Sequence, residues 1–299
     1  MRFQARPEHA GERLDVVLAA PVGSRSRAAR LIADGAVRVD GSPARKGQRL
    51  AGGEVVELEL DEPAAPEQRS PARDDAGFGI AYEDEHLLVV DKPAGVVVHP
   101  AKGHWTGTLA QALQTSGAAG GDEGRAGIVH RLDRDTSGLL VVARSEEVHR
   151  VLKAALGRRE ITREYMALVR GRPDARSGSI DAPLGRDRRD RTRNSLDSDR
   201  LRDAVTHFTV ERALPRTTLL RVRLETGRTH QIRVHMQAIG HPVMGDPTYG
   251  SAGDLGLARQ FLHAARLAFA HPVTGAAVDV RSPLPHDLAA ALVVAEAES

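Results

Sequence analysis

Residues 128–145 read IVHRLDRDTSGLLVVARS, and the two halves of that stretch ask for opposite surroundings. From Ser137 to Ala143 the side chains are small or apolar without interruption, as in a strand buried on both faces. Just ahead of it stand Arg131, Asp133, Arg134 and Asp135, four charges at the mouth of a core. Burial raises the pKa of a carboxyl and tends to neutralise it, and a neighbouring guanidinium reverses this by roughly 1–3 pH units. An aspartate backed by arginine therefore stays ionised even where water is excluded, which suits a nucleophile or general base and not a proton donor. Asp135 and Thr136 read as turn and cap residues leading into the strand. An ordinary surface ion network has the same composition, so other segments must decide between the two readings.

Three segments bear on it. LVVDKPAGVVVHP (88–100) is a strand followed by a Pro-Gly turn, able to shape one wall of a cleft or simply to reverse the chain. ITREYMALVRG (161–171) puts one of only three tyrosines on a strand; Tyr165 suits stacking on a base with its hydroxyl near a reacting group, or a place in the core. LETGRTHQIRVHMQAIGHPVMGDPTYG (224–250) gathers Arg228, His230, Gln231, Arg233 and His235 around a helix start expected at 226–229, with Ile232, Met236 and Ile239 as its apolar stripe. Arg233 lies beside that stripe, so its stem is expected to be buried and its head to need an anion, for which Asp133 is the obvious choice. His230 and His235 are five residues apart, not the i, i+4 spacing of a helical zinc pair, and no metal is expected.

The bulk composition narrows the classes. A chain of 299 residues with 41% hydrophobic content is long enough for two domains and a real core. The absence of cysteine excludes disulfide scaffolds, thiol nucleophiles and thiolate zinc sites, and fits a cytoplasmic protein. No apolar signal segment opens the chain, and no run approaches the roughly 18 apolar residues of a membrane span. Of 42 basic residues only Lys46, Lys92, Lys102 and Lys153 are lysines. An arginine-rich surface can grip phosphates bidentately, or can reflect a GC-rich genome.

Composition also divides the chain. Residues 61–77, with three prolines and no large apolar side chain before the final glycine, read as a linker. Residues 1–60 form a small module: a short helix carrying Leu14, Val17 and Leu18, a second helix capped by Ser24 or Ser26 and ending at Gly35, then two strands. Between Arg25 and Arg49 it carries seven basic residues (Arg25, Arg27, Arg30, Arg38, Arg45, Lys46 and Arg49) against Asp34 and Asp40. Such density suggests contact with a nucleic-acid backbone. In residues 78–299 strand-like runs recur (HLLVVD, GLLVVA, REYMALVRG, AVTHFTVERAL, TTLLRVRLE, RLAFAHP, AAVDVRSP), with helices over TLAQALQTS, SEEVHRVLKAAL and THQIRVHMQAIG. The fold class is α+β: a mixed, largely antiparallel sheet with flanking helices, plus the small N-terminal α/β module. Residues 172–203, rich in arginine and aspartate, are expected to form a long functional loop or hairpin insertion. Residue chemistry alone reaches an RNA-binding enzyme that uses a carboxylate.

HRLDRDTSGLLVVARS, LVVDKPAGVVVHP, REYMALVRG and TGRTHQIRVHMQAIGHPVMGDPTYG, in the order they occupy, resemble the RluA/RluD family of pseudouridine synthases, and the first 60 residues resemble the S4 RNA-binding module. The resemblance implies isomerisation of uridine to pseudouridine in RNA, most directly large-subunit ribosomal RNA, with no cofactor or metal. It implies that Asp133 is the catalytic aspartate, that Tyr165 stacks on the uracil, and that Arg233 pairs with the aspartate. Ile232 would line the uracil pocket, Arg131 would fill the gap left by a flipped nucleotide, and His130 and Arg228 are assigned to substrate binding beside them. Arg25, Arg27, Arg30, Arg38 and Lys46 would contact RNA from the module. IDAPLGRDRRDR (180–191) also fits the family, whereas NSLDSDRLRDAVTHF departs from the short glycine-lysine turn expected there. The partner is RNA, with the protein a monomer. Three alternatives remain: a transfer RNA substrate, a non-catalytic S4-type binding factor, and a retaining glycosidase. The last needs a second carboxylate roughly 5 Å away. Asp91 and Asp246 are its only loose candidates, and Asp246 reads better as a turn residue of GDPTYG.

Overall fold

The structure, a computed structural model, describes residues 2–22, 25–58, 77–100, 106–122, 124–190 and 192–298, without the side chains of 26, 27 and 30. Its chain divides into two compact units, Met1–Pro71 and Ala72–Ser299. The expected linker lies outside the described residues except for Gly77.

In the first unit β1 (Arg2–Gln4) is followed by α1 (Leu14–Val17), α2 (Ala19–Val22), α3 (Arg25–Ala33), β2 (Val37–Val39), β3 (Ser42–Pro43) and β4 (Val55–Leu58). The strands make one antiparallel sheet in the order β1-β4-β2-β3. Leu14, Leu18, Ala28 and Ile32 from the helices meet Val37, Val39, Val56 and Leu58 from the strands in one buried cluster. Ser26 lies inside α3 and is not its cap; Ser24 is outside the described residues.

The second unit is built on a sheet of nine strands. In chain order its elements are β5 (Gly79–Glu83), β6 (Leu87–Lys92), α4 (Leu109–Gln114), β7 (Ser137–Ala143), α5 (Glu146–Gly157) and β8 (Thr162–Arg170), then β9 (Ser177–Asp181), β10 (Gly185–Arg186), β11 (Asn194–Ser195), β12 (Val205–Ala213) and β13 (Thr217–Leu224). The chain finishes with α6 (Gln231–Ala238), β14 (Leu262–Ala270), β15 (Ala277–Arg281) and α7 (His286–Ala297). The strand order is β5-β6-β7-β14-β8-β13-β12-β9, with β15 paired to β14. Among the described strand pairs only β7–β14 is parallel. The helix over 286–297 and the strands β5 and β9 go beyond the sequence reading.

The uninterrupted apolar run of β7 follows from its central place. Leu140 and Val142 join the core under α4, α6 and α7, while Leu139 and Val141 join the core under α5, so neither face sees water. Each such side chain stabilises the fold by roughly 1.5–3 kcal/mol. Gly138 (φ +111°) sits where β7 meets β14, and a Cβ there would run into the Ala264 backbone. This close approach sets Gly138, Ala264 and Tyr165 in a row across three strands. The site therefore takes its position from the register of the sheet centre.

Residues 172–203, expected as a loop or hairpin insertion, hold a hairpin and, beyond the expectation, an edge strand. β9 continues the sheet edge against β12, and β10 pairs with β11 in a separate hairpin.

Candidate active site

The HRLD turn is held from behind by its main-chain carbonyls. Lys92, with no exposed surface, donates to Pro93 O (2.7 Å), Val96 O (3.0 Å) and Arg134 O (2.9 Å). Arg259 donates to Asp135 O at 3.0 Å, and Gln260 Nε2 to Thr136 Oγ1 at 3.1 Å. Burial pushes the Lys92 ammonium down to about 7, against the opposing pull of Asp135 and Asp133. Three carbonyls around one ammonium tie β6, the 93–96 turn and the HRLD turn into one piece. The backbone is fixed, which leaves the direction of the Asp133 carboxylate.

It points at Arg233, whose Nη1 lies 3.2 Å from Asp133 Oδ2. Arg233 is buried, but Asp133 is not its principal partner. Nε and Nη2 of the same guanidinium form a bidentate pair with Asp246 at 2.7 and 2.9 Å. Asp246 has no exposed surface and also accepts the amides of Thr248 and Tyr249. Arg233 meets Asp133 and Asp246 together: a fork of donors on a buried stem engages two carboxylates at once. Burial pushes the Asp246 carboxyl up, but the Arg233 hydrogen bonds and charge and the two amides outweigh it and hold it below its ordinary value. The surrounding acids in turn raise Arg233 against the cost of its burial.

Tyr165 is buried two strands over. Burial pushes its phenol up, with Asp133 adding to the rise and Arg163 opposing it, so it keeps its proton at neutral pH. Ile232 is buried in the same cluster as Tyr165 and Leu132. His130 turns toward the sheet, where Nε2 accepts the Val141 amide at 3.3 Å. Burial, with Arg163 and Lys153, lowers it to about 3, so the ring is neutral. Arg131 is exposed and, with Arg228, lines a cleft of about 1160 Å³. The remaining wall of that cleft comes from residues 184–202 and 227–229. Six arginines face it (Arg131, Arg186, Arg188, Arg200, Arg202 and Arg228) against Asp187 and Asp199.

Two details of the 224–250 segment differ from the expectation. Gln231 opens α6, later than 226–229, because its side chain closes the preceding turn, accepting from Thr226 Oγ1 and the Arg228 amide. Ile239 caps the helix end and is exposed, leaving Ile232 and Met236 as the apolar stripe. His235 spends both ring nitrogens on Thr206 and Ala182. Lys92 and Tyr249 escaped the sequence reading. A lysine ending an apolar strand in a chain with four lysines, and one of three tyrosines beside GDP, were the available signals.

In the N-terminal unit Arg25, Arg38 and Lys46 are exposed, and the side chains of Arg27 and Arg30 lie outside the described residues. Arg25 shares Asp15 with Arg13, at 2.9 and 2.8 Å, so part of its charge is already answered. Hydrogen bonds from Arg13 and then Arg25 lower Asp15 to about 2 against its burial. Among the described residues no three His, Cys, Asp or Glu side chains gather so as to hold a metal, and no helix is long and apolar enough to cross a membrane.

A pinned carboxylate facing a buried guanidinium, beside a protonated tyrosine and an arginine-lined cleft, is the equipment of an enzyme that works on RNA. A family model described as RNA pseudouridylate synthase matches residues 86–238, and one described as S4 domain matches 12–56. An uncharacterized RNA pseudouridine synthase of Mycobacterium bovis is 46% identical over 97% of this chain and 96% of its own length. The ribosomal large subunit pseudouridine synthase D of Pseudomonas aeruginosa is 44% identical over 94% and 91%. The solved human RNA pseudouridylate synthase domain containing 1 superposes with a TM-score of 0.57 at 28% identity, covering 72% of this chain and 86% of its own. The chain belongs to the RNA pseudouridylate synthase family, in keeping with its RluA/RluD motifs, and is an RNA pseudouridine synthase with an S4 domain in front.

Proposed function

We propose that the enzyme converts uridines of large-subunit ribosomal RNA to pseudouridine, with Asp133 as the catalytic carboxylate and the target nucleotide flipped out of its stack. The observation that carries this is the Asp133–Arg233 contact at 3.2 Å, in a turn whose carbonyls are held by Lys92 and Arg259. The N1–C1′ bond breaks, the uracil rotates, C5 joins C1′, N1 takes a proton and the C5 hydrogen leaves as a proton. Asp133 serves this as nucleophile at C1′ or at the base, or as base in a glycal route. Tyr165 stacks on the uracil with Ile232 at its edge, and Arg131 fills the gap. Flipping costs a few kcal/mol, which stacking and the inserted arginine offset. The arginines of the cleft and of the N-terminal module hold phosphates, with Arg25, Arg27, Arg30, Arg38 and Lys46 assigned to that task on the module.

Two features favour this reading over a glycosidase. Asp246, the carboxylate nearest the pair, is locked as an anion beneath Arg233 and has no proton to give. Asp91 accepts from Ser282 instead. The choice of ribosomal RNA rests on the S4 domain and on the relatives named for the large subunit. The test is tritium release from [5-³H]uridine-labelled large-subunit RNA and from labelled transfer RNA. We expect release from the former alone, and none with Asp133→Asn although that variant still retains RNA. Turnover by Asp133→Asn, or release from transfer RNA only, overturns the proposal.

A further inference from the structure

Tyr249 belongs to neither the HRLD turn nor the cleft wall, yet it touches Asn194 of that wall and Arg233, the partner of Asp133. Its hydroxyl accepts the Asn194 amide at 2.9 Å, donates to the Asn194 carbonyl at 3.0 Å, and lies 2.9 Å from His230 Nδ1. A phenol has one proton, so with that proton on Asn194 O the other two contacts must be accepted, and His230 carries its proton on Nδ1. Asn194 in turn donates through Nδ2 to Thr229 O at 2.7 Å, so hairpin strand β11 is tied to the start of α6 twice. The tyrosine ring packs with Leu184, Ala204 and Val234 in a small buried cluster of its own. The Arg233 and Arg193 guanidinium carbons each lie 5.0 Å from the ring centroid, within cation–π range.

The arrangement is a chain of contacts from cleft to catalytic pair. Asn194 lines the cleft, Tyr249 holds both backbone groups of Asn194, and Arg233 rests on the Tyr249 ring. The Tyr249 amide also bonds Asp246, the acid that orients Arg233. We propose that Tyr249 is a positioning residue that couples the arginine-lined cleft to Arg233, so that an RNA strand seated in the cleft sets the guanidinium against Asp133. This rests on the reading that the site carries out the reaction through Asp133. A backbone clamp on a single residue of a two-residue strand couples the hairpin to the guanidinium; without the hydroxyl, the Asn194 Nδ2–Thr229 O bond is the tie that is left between Asn194 and the start of α6.

The test uses the full-length enzyme on large-subunit RNA. Tyr249→Phe keeps the ring under Arg233 and removes the clamp; it is expected to raise KM about tenfold while lowering kcat by no more than about threefold. Arg200→Ala, on the cleft wall, is then measured in both backgrounds. If Tyr249 acts through the cleft, the factor by which Arg200→Ala raises KM shrinks in the Tyr249→Phe background. Tyr249→Leu removes the ring as well and is expected to lower kcat further; should it fail to fold, the phenylalanine variant and the cycle still decide. Wild-type KM for Tyr249→Phe, with or without a lower melting temperature, overturns the proposal, as does an Arg200→Ala factor equal in the two backgrounds. Asp133→Asn is run alongside. Its activity would sink the site reading, whereas a dead Asp133→Asn beside an indifferent Tyr249→Phe sinks the coupling alone.

Discussion

The turns at 131–136 and 244–250 each offer a carboxylate to the same guanidinium. Asp246 in the second has no exposed surface and accepts four hydrogen bonds, two from Arg233 and two from the Thr248 and Tyr249 amides. Asp133 in the first keeps 15% of its side chain exposed and, among the described residues, its carboxylate receives a single contact, at 3.2 Å. One acid fixes the orientation of the arginine, and the other meets it through a single oxygen. A charge oriented beforehand by a second partner need not reorganise when the reaction proceeds, which is where electrostatic catalysis gains most.

That contrast can be broken from either side. Asp133→Asn is expected to lower the rate by at least about 10³-fold, the scale on which a reacting group registers, with little change in melting. Asp246→Asn is expected to do the reverse in order of importance, costing about 3–5 kcal/mol of stability because it strands a buried guanidinium. Arg233→Ala strands Asp246 and belongs in the same range; chemical denaturation checks both. An Asp246→Asn variant with wild-type stability would remove the distinction between the two acids.

A smaller effect sharpens the comparison from behind the HRLD turn. Lys92→Met keeps the buried stem but leaves three carbonyls without their donor, at a cost of about 1–3 kcal/mol. Because Arg134 O is among them, kcat should fall more than KM rises; steady-state kinetics beside a melt distinguishes this from general loosening. The smallest effect concerns acid. Burial pushes Asp84 up, but the Tyr82 hydroxyl, the His86 and Leu87 amides and the His271 charge bring it down to about 2 from its ordinary 3.8. A carboxyl lowered on folding stabilises the protein above its unfolded value and loses that contribution as pH falls from 3.8 toward 2. Melting followed from pH 5 to pH 2 should therefore drop less steeply for Asp84→Asn than for the wild type.

Much of this was legible in the amino-acid order. The apolar runs of β6 and β7 mark buried strands because a strand covered on both faces has few polar positions to spare. The charge cluster before β7 marks the site because no core tolerates it without a partner. Less was legible where a residue's partner is remote. The role of Lys92 shows only once the carbonyl 42 residues away is seen beside it. The helix over 286–297 was missed because HDLAAALVVAEA is apolar nearly all round and shows no 3.6-residue stripe. Residues 172–203 read as a loop or hairpin insertion, and β9 within them is not legible because it is short and small-chained, and only its pairing with β12 makes it a strand.

Taken by itself, the order of residues determined the fold class, the elements of the sheet centre and the identity of the charged groups, since periodicity and burial propensity are local properties of the chain. It also marked Arg233 as an arginine in need of an acid. Which acids answer it, and with which nitrogens, was decided only by tertiary structure. Asp133 and Asp246 lie 100 and 13 residues from Arg233, and the direction of a guanidinium fork on a buried helix is set by packing that no local pattern encodes.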